Sequence, residues 1–111
     1  MQEGDVVLLG LPQADGQLKT RPALLLRRLP PFGDALVCGI STQLQQAVLN
    51  FDEVIQPADA DFNGSGLRAA SLIRLGFLAV VPTVQLRGSI GTIALVRHQR
   101  LLKNLSDFLR P

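Results

Sequence analysis

The hydrophobic period of this chain changes once, near Val96, and that change limits the folds open to it. Before it, apolar residues come in short runs cut by Pro, Gly and Asp, the pattern of strands joined by turns. The runs cover residues 6–9, 23–26, 35–40, 47–55, 71–75, 77–81 and 89–93. The stretches 12–20, 29–34 and 57–66 carry the turn residues between them, and Gly39 marks a bulge or a close backbone approach. After the change, Leu101, Leu102, Leu105, Phe108 and Leu109 fall at helical spacing and form one apolar stripe. Arg97, Arg100, Lys103, Asn104 and Asp107 cover the other face, and His98 is expected at the surface between Arg97 and Gln99. No N-capping side chain directly precedes this helix, which leaves its start open. The expectation is a mainly β fold: a compact, mostly antiparallel barrel closed by a C-terminal helix, one domain over residues 1–111.

Composition narrows the setting. Cys38 is the one cysteine, so no internal disulfide forms and no paired-cysteine metal motif exists. The first residues are acidic rather than basic, unlike a secretory signal, and no apolar run approaches the ~20 residues of a membrane span. A cytoplasmic protein with no membrane contact is expected. Net charge is +2, yet residues 1–66 hold four basic and eight acidic side chains, while residues 67–111 hold seven basic and one acidic. Such polarity can present a basic face to a phosphate backbone, with Arg74, Arg87 and Arg97 as contributors; it can equally be scattered surface solvation.

The common catalytic signatures are missing: no His-Glu-x-x-His, no Gly-x-Ser-x-Gly and no P-loop occurs. A single histidine rules out a two-histidine ribonuclease. No metal site and no cofactor is expected. One constellation remains. Arg21 stands where the first loop enters the second strand, and Ser41, Thr42 and Gln43 stand where the third strand ends. If those strands pair, a guanidinium and hydroxyls meet at one rim. The planar fork of an arginine suits two phosphate oxygens at once. Ordinary turn chemistry explains the same residues without a site. Lys19, Thr20, Thr42, Gln43 and Gln45 are the polar candidates for binding such a ligand around Arg21 and Ser41.

Five blocks in order resemble one family. Gly4-Asp5-Val6-Val7 is similar to the opening of the MazF/PemK toxins. Lys19-Thr20-Arg21-Pro22-Ala23 resembles the Lys-x-Arg-Pro-Ala motif of the PemK-like branch. Ile40-Ser41-Thr42-Gln43 resembles the family's Ile-Thr-Ser-Gln strand end. Gly66 to Leu75 is similar to its Gly-Leu-x-x-x-Ser stretch, and Ile90-Gly91-Thr92-Ile93 precedes a last helix as in the family. The resemblance implies an SH3-like barrel and a homodimer. It implies a sequence-specific, metal-independent endoribonuclease that cuts single-stranded RNA, the toxin of a type II toxin–antitoxin pair. It implies a cognate antitoxin as partner, with DNA met only through the antitoxin complex. The family's catalytic arginine falls on Arg21 and its catalytic threonine on Ser41, where serine keeps the hydroxyl.

Under this expectation the ribose 2′-hydroxyl of the RNA attacks its own phosphate, leaving a 2′,3′-cyclic phosphate and a 5′-hydroxyl. Arg21 and Ser41 would steady the developing charge. A guanidinium holds its proton and an unassisted serine is a poor base, which leaves Asp15 in the first loop as the candidate base. With no Trp or Tyr in the chain, bases cannot stack on those rings. Two other functions share these features: a catalytically silent relative that binds RNA or an antitoxin, and a gyrase poison of the CcdB type.

Overall fold

The structure, a computed structural model, describes residues 1–12 and 14–111. The β-branched and leucine-rich runs form strands β1 (Asp5–Pro12), β2 (Leu18–Leu29), β3 (Asp34–Ser41), β4 (Glu53–Ile55), β5 (Ser71–Val81) and β6 (Leu86–Thr92). Helix α1 (Phe62–Ser65) is one turn, and α2 (Leu95–Leu109) carries the C-terminal stripe. Every strand pair is antiparallel, in the order β4-β5-β3-β2-β1-β6. Two expected strands at 71–75 and 77–81 are one, and the expected strand over 47–55 shrinks to its last three residues. The reason for the shrinkage is Asp52. Its carboxylate accepts the Val48 N–H (2.9 Å) and folds residues 48–52 into a turn instead.

The alternation of side chains along the strands divides the core in two. On one face Val6, Leu24, Cys38, Ile40, Ile73 and Leu75 pack with Phe62 and with Leu101 and Leu105 of α2. On the other, Val7, Leu9, Ala23, Leu25, Val37, Val81 and Leu86 form a second cluster. The helix stripe therefore covers only one side of the sheet.

The expected closed barrel is not formed. The fold is mixed β/α, with an open six-stranded sheet whose end strands β4 and β6 do not pair. The gap between them is filled. The backbone of α1 presses so closely on β6 that a Cβ at Gly91 would run into the Gly64 carbonyl, and one at Gly66 into Ile90. Beside β4, Arg97 of α2 donates to the Val54 carbonyl (3.4 Å). Its guanidinium also reaches Glu53 (2.9 Å), Asp59 (3.1 Å) and Asp61 (2.8 Å). Asp61 in turn accepts the Ala94 N–H (3.0 Å), so the missing cap of α2 comes from a residue 33 positions earlier.

Two further expectations are corrected here. Arg97 and His98 do not lie on a solvated helix face; both are buried, at 8% and 6% exposure. The His98 Nε2 sits 2.8 Å from the Leu26 carbonyl, and the Cβ-free Gly4 leaves room for the other edge of the ring. Polar residues in the first turn of α2 are buried because acids and a strand carbonyl meet them there, an arrangement that helical spacing does not reveal.

Candidate functional site

On the sheet face away from α2, a cleft of about 410 Å³ opens across β1, β2, β3 and β5. Leu9, Ala23 and Val37 of the second cluster line its floor. Strand register explains which polar side chains surround it. Leu9 pairs with Arg21, Gly39 with both Ala23 and Arg74, and Ser41 with Leu72. Carrying the Ala23–Gly39 register two residues further brings Arg21 opposite Ser41, so the two face the same side of the sheet. Arg21, Ser41, Thr42 and Gln43 line the cleft together, as the sequence suggested they could.

The other expected residues lie elsewhere. Lys19 and Thr20 are exposed on the β1–β2 arm and Gln45 in the turn after β3; none lines the cleft. Gln45 touches it indirectly, donating to the Gln43 side chain (2.8 Å). Asp15 is exposed and accepts the Gln17 N–H (3.0 Å), which is turn chemistry, and it too stands outside the cleft. Of the basic residues expected to line an RNA groove, Arg74 does so. Arg97 is committed to its three carboxylates beneath α2, and Arg87 lies across Gly10 of β1.

Sequence reasoning missed Phe77 and gave Arg74 no special place. Both follow from a bulge in β5. Cys38 pairs with Leu78 but Gly39 with Arg74, so residues 75–77 have no partner on β3. The Leu75 N–H freed from the ladder is taken by the Asp52 carboxylate (2.9 Å). The Phe77 ring folds back over Gly39, where an added Cβ would stand 3.0 Å from Cδ1. Gly39 was legible as a close approach, and the Gly76-Phe77 pair that interrupts the strand was the signal for what approaches it.

The electrostatics of the cleft are one-sided. Among the described residues its lining contains two arginines and no Asp, Glu or His. Among the described residues, neither Arg21 nor Arg74 is in an ion pair, whereas Arg27, Arg97 and Arg100 are. Arg74 makes one long hydrogen bond, to the Gln46 side chain (3.4 Å). The Ser41 hydroxyl accepts the Gln43 N–H (3.2 Å), which fixes its oxygen and leaves its proton to be donated. Cys38 adjoins the cleft but is fully buried, and burial pushes its thiol up to about 12, so it is no nucleophile. Among the described residues no group of His, Cys, Asp and Glu could hold a metal ion. Two unpaired guanidiniums beside a fixed hydroxyl make a site for an anion with several oxygens, and a phosphodiester fits that description.

No protein-family model matches the chain, and no curated protein matches it. No helix among the described residues is long and apolar enough to cross a membrane.

Proposed function

We propose that the protein is a metal-independent endoribonuclease that cuts single-stranded RNA, acting in the cytoplasm as the toxin of a toxin–antitoxin pair. The observation that carries this reading is the cleft itself, with Arg21 and Arg74 unpaired, Ser41 beside them and no carboxylate in the lining. The sequence blocks that resemble the MazF/PemK toxins support it, because Arg21 and Ser41 are the residues on which that resemblance places catalysis. The proposed partners are single-stranded RNA, a second copy of the chain, and an antitoxin segment that occupies the same cleft.

In this mechanism the nucleophile belongs to the substrate. The ribose 2′-hydroxyl attacks the adjacent phosphorus in line, giving its proton to solvent water. The P–O bond to the 5′-oxygen of the next nucleotide breaks, that oxygen leaving as a hydroxyl with a proton from water. Charge gathers on the non-bridging oxygens. Arg21 and Arg74 hold those oxygens, and the Ser41 hydroxyl donates the remaining hydrogen bond. Fixed donors that need not reorganise as charge develops are the main source of rate in such a site.

The test is cleavage of a single-stranded RNA with EDTA present, reading both rate and product ends. Wild-type protein should leave 2′,3′-cyclic phosphate and 5′-hydroxyl ends. Arg21→Ala should lower the rate by about 100- to 1000-fold, and Arg74→Ala by at least about 10-fold, with both proteins folded. Wild-type cleavage by a folded Arg21→Ala protein refutes the assignment. A second reading, an RNA- or antitoxin-binding relative that does not cut, is favoured by one observation: the lining holds neither carboxylate nor imidazole to take the 2′-hydroxyl proton. Tight RNA binding without cleavage would select it.

A further inference from the structure

We propose that Phe77 is a stacking platform for a nucleobase, placed so that a base lies on its open face while the neighbouring phosphates meet Arg74 and Arg21. The proposal rests on the cleft being an RNA site and adds how it holds the base. Five phenylalanines are the chain's entire aromatic complement. Four are accounted for elsewhere. Phe51 and Phe108 pack on each other with ring centres 5.3 Å apart, Phe62 is buried in the core under α2, and Phe32 is in the turn between β2 and β3. Phe77 alone lines the cleft, and it is 53% exposed there.

The ring is held rather than loose. Gly39 lies beneath it, close enough that any larger residue would push it away, and the bulge at 75–77 turns the side chain toward the cleft. The Cβ–Cγ–Cδ1 edge of the ring is thus backed by Gly39, while about half of the residue stays exposed. Arg74, three residues earlier on β5, lines the same cleft, and so does Arg21. A planar apolar surface bordered by cations and by no carboxylate complements one ligand chemistry in particular, a base carried on a phosphate chain. Because every base presents a π-face, such a platform adds affinity with little demand for base identity.

The experiment compares two short single strands, both 2′-deoxy throughout so that neither can be cut. One carries bases and the other has abasic positions over the same backbone. Wild-type protein should prefer the base-bearing strand. Phe77→Ala and Phe77→Leu should weaken that strand by about 10-fold, leave the abasic strand unchanged and keep the salt dependence of binding. Phe77→Trp should restore the preference. Folded Ala and Leu variants that bind the base-bearing strand like wild type overturn the platform while the RNA site stands; so does an equal loss on both strands. Failure of wild-type protein to bind either strand overturns the RNA reading and the platform with it.

Discussion

Under the proposed reading single residues decide the chemistry, and Ser41 shows how two demands fall on one atom. Its oxygen accepts the Gln43 N–H and so shapes the turn after β3, while its proton is free for the cleft. Threonine meets both demands with a more restricted rotamer. Ser41→Thr should therefore keep or raise cleavage in single-turnover assays. Ser41→Ala should slow it by about 10-fold or more and cost only about 1 kcal/mol in a thermal melt, the worth of one exposed hydrogen bond. Full activity in a stable Ser41→Ala protein would move the role to Thr42. Arg21 and Ser41 were legible in the sequence because each stands at a junction of polar and apolar runs, and simple strand pairing aligns them. Arg74 and Phe77 were not. A bulge shifts which residues of a strand face the cleft, and alternation of apolar and polar residues cannot show where a ladder skips.

At the scale of elements, α2 is held as much by charge as by its apolar stripe. Leu101 and Leu105 were readable from spacing alone. The burial of Arg97 was not, since its partners Glu53, Asp59 and Asp61 come from β4 and the loop after it, 36 to 44 positions away. A guanidinium is as polar on a buried face as on an exposed one, and only its neighbours settle which it is. The network has a pH signature. The hydrogen bonds from Arg97 hold the Asp61 carboxyl below the ordinary aspartate value of 3.8, against the opposing effect of burial. Folding therefore favours its ionised form. The stability it contributes is complete above about pH 4 and is lost as pH falls through the depressed value. The urea midpoint should fall steeply below pH 4, and Asp61→Asn should flatten that limb while lowering the plateau at neutral pH. Arg97→Ala leaves three carboxylates around a buried gap and should cost about 3 kcal/mol or more. An unchanged midpoint in Arg97→Ala would show that α2 is held by its leucines alone.

Across the whole molecule, folding reduces the charge polarity of the sequence. Arg97 and Arg100 from the basic second part are neutralised by Glu53, Asp59 and Asp61 from the acidic first part. Among the described residues Arg68, Arg87 and Arg110 stay exposed and outside any ion pair, but among the residues lining the cleft the cations are Arg21 and Arg74. The salt dependence of RNA binding should reflect that. Arg21→Ala and Arg74→Ala should each reduce the slope of log K against log salt by about 0.7, the value for one phosphate contact on a single strand. Lys103→Gln, on the exposed side of α2, should leave it unchanged. A slope that responds to Lys103 and not to the arginines would place the RNA on the helix side. The antiparallel order of short strands and the final helix were legible from period and turn residues; the failure to close was not, because it depends on what enters the gap. That filling has a consequence for how two such chains can meet. An open sheet usually offers its outer strands as templates on which another chain lays down a strand. Here the Val54 carbonyl is already engaged by Arg97, and Ile90 and Gly91 lie under the Gly64–Gly66 backbone. If copies of the chain associate as proposed, these stretches of β4 and β6 offer less backbone for a shared ladder, which favours contact through side-chain surfaces that the folded protein already presents.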